Sequence, residues 1–263
     1  MIPRLYIEQW QTIAPWKSLS MIEQDLIISR ALVNLFNHTE VAKSLVFRGG
    51  TALNKLYINP PARYSEDIDF VQIKAEPIGK TMDAIREVLD IWLGAPQRKL
   101  TERSAKLVYR YTAFDNTPGK LKIEINTTEH FHVKPIVAKL HQVSSPWFQG
   151  EAQVITYHLD ELIGTKLRAL YQRRKGRDLF DLWYVLEKNL INIDEVITIF
   201  GQYCRHNKEP IIRTMFEQNL VLKKQHADFR SDMDPLLTAE VHWNFEQAIS
   251  LVEQEIISKI PMK

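Results

Sequence analysis

Near residue 157 the spacing of apolar residues changes period, and this change limits what the chain can fold into. Before it, short alternating runs are interleaved with amphipathic helical stretches. After it, from Leu159, the period is helical nearly to the end. In the first part, Ser20–Phe36 reads as a helix that Ser20 can cap, with Glu23 three residues on and Ile22, Leu26, Ile27, Leu32, Val33 and Phe36 along one stripe. An apolar run over Ser44–Phe47 stops at Gly49-Gly50. Thr51–Tyr57 then predicts a helix that ends before Pro60-Pro61, Asp67–Ile73 a strand, and Ile78–Leu93 an amphipathic helix. Ala105–Phe114 and Lys120–Thr127 predict two strands, joined as a hairpin by the turn formers Asp115-Asn116-Thr117-Pro118-Gly119. His132–Thr156 shows only a short strand, at Gln153–Thr156. The second part predicts helices at Leu159–Arg173, Asp178–Lys188, Ile193–Cys204, Pro210–Leu222 and Pro235–Lys259. The expected class is α+β: a mixed sheet flanked by helices over residues 1–156, then an all-helical lobe over residues 157–263. No low-complexity linker marks the change, so two lobes sharing an interface are expected.

The rest of the composition excludes more than it assigns. At 263 residues, 45% hydrophobic and 25% charged, the chain is ordinary for a globular protein. A single cysteine, Cys204, rules out an internal disulfide and a multi-cysteine zinc site, and reads as a small buried hydrophobe. The net charge of +2 neither demands nor forbids nucleic acid. No signal peptide and no run long enough to span a membrane is read, so a cytoplasmic enzyme without membrane contact is expected.

The chemistry concentrates in Phe47-Arg48-Gly49-Gly50-Thr51-Ala52-Leu53-Asn54-Lys55 and Arg63-Tyr64-Ser65-Glu66-Asp67-Ile68-Asp69-Phe70. A strand entering Gly-Gly at a helix start lets the backbone approach a bound group and aims free N–H groups at it, which suits a phosphate. Thr51 can donate there, and Lys55 lies one turn beyond. By itself such a pair is more often plain turn chemistry. On a strand, Asp67 and Asp69 share a face while Ile68 and Phe70 point inward. Two carboxylates about 4 Å apart repel by roughly 4 kcal/mol at an effective dielectric near 20, a cost that a divalent cation removes. In Lys122-Ile123-Glu124-Ile125-Asn126 the alternation puts Glu124 on the polar face. There it either joins the two aspartates as a metal ligand or base, or faces water with Lys122. His130 and His132 lack a third ligand nearby and read as strand-end residues.

A Gly-Gly-Thr helix start, then Asp-Ile-Asp on a strand, then a strand carrying Glu resembles the DNA polymerase β-type nucleotidyltransferase pattern. The fuller string of 47–57, 64–70 and 166–183 resembles the AbiEii/AbiGii-type toxin family, including MenT-like toxins; the likeness spans about residues 20–190. It implies a nucleotidyltransferase fold, Mg²⁺ on Asp67 and Asp69, and an NTP as substrate with Gly49, Gly50, Thr51 and Lys55 around it. It further implies a toxin of a toxin–antitoxin or abortive-infection system, acting on tRNA 3′ ends or another RNA and held by a cognate antitoxin. A transferase acting on a protein or small-molecule hydroxyl, and a non-catalytic nucleotide-binding module, are the alternatives. Within Lys166–Trp183 the residues alone read as a basic helix end with Gly176 as its stop and Asp178 capping the next helix. The resemblance instead makes Lys166 a phosphate contact oriented by Asp181, with Arg177 and Asp178 as a supporting ion pair, so that the helical lobe contributes to the active site. The run Arg168–Arg177 is available for phosphates of an RNA acceptor. Ser65, two residues before Asp67, matches a hydroxyl whose phosphorylation silences related toxins, since about two negative charges there oppose NTP binding.

Overall fold

The computed structural model describes residues 2–262, which divide into two compact units, Met1–Tyr157 and His158–Lys263. In the first unit the elements run α1 (Arg4–Trp10), α2 (Leu19–Phe36), α3 (Thr39–Ser44), β1 (Leu45–Arg48), α4 (Gly49–Leu56), β2 (Asp67–Gln72), α5 (Gly79–Leu93), β3 (Gln97–Leu100), β4 (Ser104–Thr112), β5 (Pro118–Asn126), β6 (Val137–Ser144) and β7 (Gln149–Thr156). The strands form one seven-stranded mixed sheet in the order β3-β4-β5-β2-β1-β7-β6. β2 pairs parallel to β5 and β1 parallel to β7; the other neighbours are antiparallel.

The period-2 alternation decides which face is core. Ile68, Phe70, Ile123, Ile125, Leu107 and Tyr109 are buried, and Phe70 meets Phe36 of α2 edge-on at 5.9 Å. Asp67, Asp69, Lys122 and Glu124 therefore share the opposite face. Helix α2 is capped by Ser18, whose side chain accepts from the Met21 amide, two residues earlier than Ser20 suggested. Glu23 is not part of a capping box: it is buried and accepts from the Phe114 amide with both oxygens at 3.1 Å. Burial pushes its pKa up, and the Phe114 bond only partly offsets this.

Helices α1 and α3 and strands β3 and β6 are additional to the pattern-based expectation, and β7 is twice as long as the short strand expected there. β3 is exposed throughout, and β6 buries only every second residue near its end, so neither carries an apolar signal.

The second unit holds α6 (Leu159–Gln172), α7 (Gly176–Glu187), α8 (Ile193–His206), α9 (Arg213–Lys224), α10 (Ala227–Ser231), α11 (Phe245–Glu255) and a 3₁₀ turn at Ile257–Lys259. The helix expected from Pro235 begins only at Phe245, because Asn244 caps α11 by accepting from the Gln247 amide at 3.0 Å. Gly176 does not end a helix but opens α7. A Cβ there would lie 2.3 Å from the Phe229 carbonyl oxygen, so the position needs glycine for close packing. Cys204 is buried, and burial pushes its thiol up to about 11. Among the described residues no helix is long and apolar enough to cross a membrane.

One buried group gives the first unit an acid sensitivity. His141 on β6 lines a 420 Å³ cavity with Trp10, Trp16, Asp25, Lys55 and Arg63. Burial pushes its pKa down to about 4; the Lys55 charge adds to this and the Asp25 charge opposes it. The imidazole stays neutral in the fold but takes a proton near pH 6.5 once unfolded. Its contribution to stability is therefore full above pH 6.5 and is lost as pH falls toward 4, by roughly 3 kcal/mol over that window. His141→Gln should flatten the wild-type decline in denaturation midpoint between pH 6.5 and 4; equal declines in both proteins would contradict this.

Candidate active site

Strand β1 runs directly into α4 at Arg48-Gly49, and β2 lies antiparallel to β1 with Arg48 opposite Asp69. In the parallel pairing of β2 with β5, Asp67 lies opposite Lys122 and Asp69 opposite Glu124; β4 adds Lys106 opposite Glu124. One row across four strands thus reads Arg48, Asp69, Glu124, Lys106, with Asp67 and Lys122 in the row beside it.

Gly49 is required twice over. Its φ is +83°, and a Cβ would lie 2.7 Å from Asp69 Oδ2. Helix α4 has no side-chain cap, so the amides of its first turn remain donors next to Asp69. Gly50 serves a different neighbour: a Cβ there would lie 2.3 Å from the guanidinium of Arg63, a fully buried residue that the sequence alone did not single out. We expect Gly49→Ala to cost about 1–3 kcal/mol in folding stability from the left-handed backbone and the contact with Asp69. Transfer activity should fall by more than that stability loss explains; chemical denaturation together with initial rates would check both.

The electrostatics of the carboxylates differ. Asp69 is held above the usual carboxylate range by burial; Arg48 opposes this and Asp67 reinforces it. Burial also works against ionised Glu124, but Lys106 at 2.9 Å and Lys122 outweigh it and hold its pKa below the usual range. Lys122 Nζ lies 2.7 Å from Asp67 Oδ2 and 3.5 Å from Glu124 Oε2. Arg48 pairs with Glu129 at 2.9 Å.

Among the described residues no three His, Cys, Asp or Glu side chains form a group able to hold a metal ion. Glu124 is contacted by Lys106 at 2.9 Å and by Lys122 at 3.5 Å, beside Asp67 and Asp69 on the same face. Lys55 lies on α4 and reaches toward α2. Roughly one and a half turns past Gly49, it pairs with Asp25 at 2.9 Å and donates to Ser29 Oγ, while Trp10 and Trp16 donate to the same Asp25. The Thr51 hydroxyl is engaged as well: it is buried, donates to the Asp67 carbonyl and shares a hydrogen bond with Ser65 Oγ at 2.8 Å. Ser65 thereby sits at the start of α4. His130 and His132 each turn a ring nitrogen to a backbone carbonyl, of Gln72 and Lys134.

In the second unit, Lys166 Nζ lies 3.0 Å from Asp178 Oδ1 and 2.9 Å from Asp181 Oδ2, with all three residues buried. Arg173 forks onto Asp178 at 2.6 and 2.8 Å. Burial opposes ionisation of Asp178, yet Lys166 and Arg173 together hold its pKa far below the usual range. Asp178 is therefore not a cap, and it is not Arg177's partner. Arg177 turns to Asp232, which accepts from both its amide and its guanidinium. Arg168 is buried against the Tyr203 ring at 4.8 Å. The basic run is thus largely consumed within its own unit, with Arg174 and Lys175 exposed.

The fold agrees with that of the solved structures to which the chain is similar. It resembles MenT4, the nucleotidyltransferase toxin Rv2826c of Mycobacterium tuberculosis H37Rv, with a TM-score of 0.61 and 15% identity over 99% of this chain and 91% of the other. It also resembles JHP933 of Helicobacter pylori, with a TM-score of 0.51 and 20% identity over 90% of each chain. At these identities the likeness shows the fold. No curated protein matches the sequence. The family model described as nucleotidyl transferase AbiEii toxin, type IV TA system, matches residues 30–251, which include both the Gly49–Asp69 site and the Lys166 cluster. The chain belongs to the AbiEii family of nucleotidyltransferase toxins of type IV toxin–antitoxin systems.

Proposed function

We propose that the chain transfers a nucleotide from an NTP to a hydroxyl of RNA, with tRNA 3′ ends as the first acceptor to test, using Mg²⁺ held by Asp67 and Asp69. The observation that carries this reading is the pair of carboxylates on one sheet face beside an uncapped helix start, where Gly49 admits the Asp69 side chain. The residues fit the ion: Mg²⁺ is held by one or two carboxylates together with substrate phosphates rather than by a protein cage, so no third protein ligand is needed. Bound there, the ion would offset charge on the triphosphate as pyrophosphate leaves.

The chain's own groups do the positioning. First-turn amides of α4 receive phosphate oxygens, Arg48 keeps the row beside them balanced, and Lys166, fixed by Asp178 and Asp181, is assigned to phosphate charge. The acceptor hydroxyl attacks the α-phosphorus, the bond from that phosphorus to the bridging oxygen breaks, and pyrophosphate departs. Glu124, held ionised by Lys106, is a poor base and is assigned to charge balance. Lys99, Arg110 and Lys120 lie on the sheet face that carries the carboxylates. They are exposed, with no acidic partner among the described residues, which suits a polyanionic acceptor. Phosphorylation of Ser65 would place negative charge at the α4 start and silence the enzyme. A cytoplasmic location and a cognate antitoxin go with this reading.

The test is incubation of the purified protein with labelled NTPs, Mg²⁺ and total RNA. Label on RNA, and on tRNA in particular, supports the proposal. Label on protein or a small molecule replaces the acceptor, and NTP binding without turnover removes the enzymatic reading.

A further inference from the structure

We propose that Lys122 is the resident counter-ion of the Asp67–Asp69 site and couples entry of the divalent cation to arrival of the nucleotide. This rests on the reading of Asp67 and Asp69 as metal ligands. Lys122 lies directly opposite Asp67 in the β2–β5 register, and its ammonium makes the shorter of its two contacts with that carboxylate, 2.7 Å against 3.5 Å to Glu124. The neighbouring row has cations of its own, since Arg48 stands opposite Asp69 and Lys106 holds Glu124 at 2.9 Å. For Asp67, by contrast, Lys122 is the one cation in ion-pair contact among the described residues.

A divalent ion on Asp67 and the Lys122 ammonium cannot share that position, because they repel at a few ångströms in a partly desolvated setting. A free metal ion therefore has to evict a cation already paired, and gains little charge complementarity by doing so. A metal ion arriving with a triphosphate meets a different balance. The phosphates bring more negative charge than the ion neutralises, and the evicted ammonium, on a flexible four-carbon stem, exchanges a carboxylate for phosphate oxygens. The outcome is positive coupling between metal and nucleotide, with Asp67 kept neutralised while the site waits. A lysine suits this role because its ammonium is a compact charge that moves readily, unlike an arginine clamped in a fork.

The experiment measures Mn²⁺ binding by the electron paramagnetic resonance of free Mn²⁺, with and without the α,β-methylene analogues of the standard ribonucleoside triphosphates. Wild type, Lys122→Met, Lys122→Gln and Asp67→Asn are compared, and thermal unfolding confirms that each is folded. Wild type should bind Mn²⁺ at least about tenfold more tightly with nucleotide than without, within the usual span of ligand coupling. Lys122→Met and Lys122→Gln should bind Mn²⁺ alone at least about tenfold more tightly than wild type does. If wild type and the folded Lys122 variants bind Mn²⁺ alone equally while Asp67→Asn abolishes binding, the counter-ion role is overturned and the metal site stands. If Asp67→Asn leaves Mn²⁺ binding intact with and without nucleotide, the metal site fails and the coupling fails with it.

Discussion

Asp69→Asn should lower nucleotide transfer by about 10³-fold or more, the scale on which a single charge-handling group contributes to phosphoryl transfer, while leaving the protein folded. The two outcomes have one cause. Asp69 is held above the usual carboxylate range by burial and by the neighbouring Asp67, against the pull of Arg48. Its charge is therefore a cost to the resting fold, and only a cation or a reaction can justify it. Asparagine keeps the shape that Gly49 admits and removes that cost, and Arg48 keeps Glu129 as a partner. Melting temperature should stay level or rise while the initial rate collapses, a split typical of residues kept for function at the expense of stability. A variant that loses fold and activity together would mark Asp69 as structural and remove it from the site.

Lys166→Met should do the opposite in one respect and destabilise the helical unit strongly. Lys166 sits between two buried carboxylates at 2.9 and 3.0 Å. Asp178 retains Arg173, but Asp181 loses its ion pair with Lys166 in a setting that is 1% exposed. Breaking a buried pair from one side typically costs about 3–5 kcal/mol. Activity will fall too, so the single variant cannot separate a phosphate contact from a structural role. Lys166→Met combined with Asp181→Asn does so, because it leaves Arg173 and Asp178 as a neutral pair. The double variant should recover most of the denaturation midpoint and none of the transfer rate. Recovery of both would reduce Lys166 to a structural cation.

How much of the site was legible depended on whether a residue's partners are local. Asp67 and Asp69 were readable because an alternating strand fixes which of its own residues share a face, and Gly49 because a strand-to-helix turn has a sequence signature. Lys166, Asp178 and Asp181 were readable only as a group matching a family pattern. Both aspartates meet the lysine, because Asp178 and Asp181 lie three residues apart on one face of α7. The ion-pair partners of Lys55 and Arg177 were hidden for the same reason. A long cation takes whichever carboxylate the packing brings within reach, Asp25 from α2 and Asp232 just past α10, and neither is a near neighbour in the chain.

The change from mixed to helical architecture near residue 157, the face shared by Asp67 and Asp69, and the glycine turn that precedes them are all local features. They follow from periodicity and backbone sterics, which act over a few residues. What surrounds those carboxylates depends on long-range packing. Sheet register placed Arg48, Glu124 and Lys106 in one row with Asp69, and placed Lys122 against Asp67. Register is settled by the pairing of strands far apart in the chain. It set the Lys122 ammonium between the carboxylates of Asp67 and Glu124.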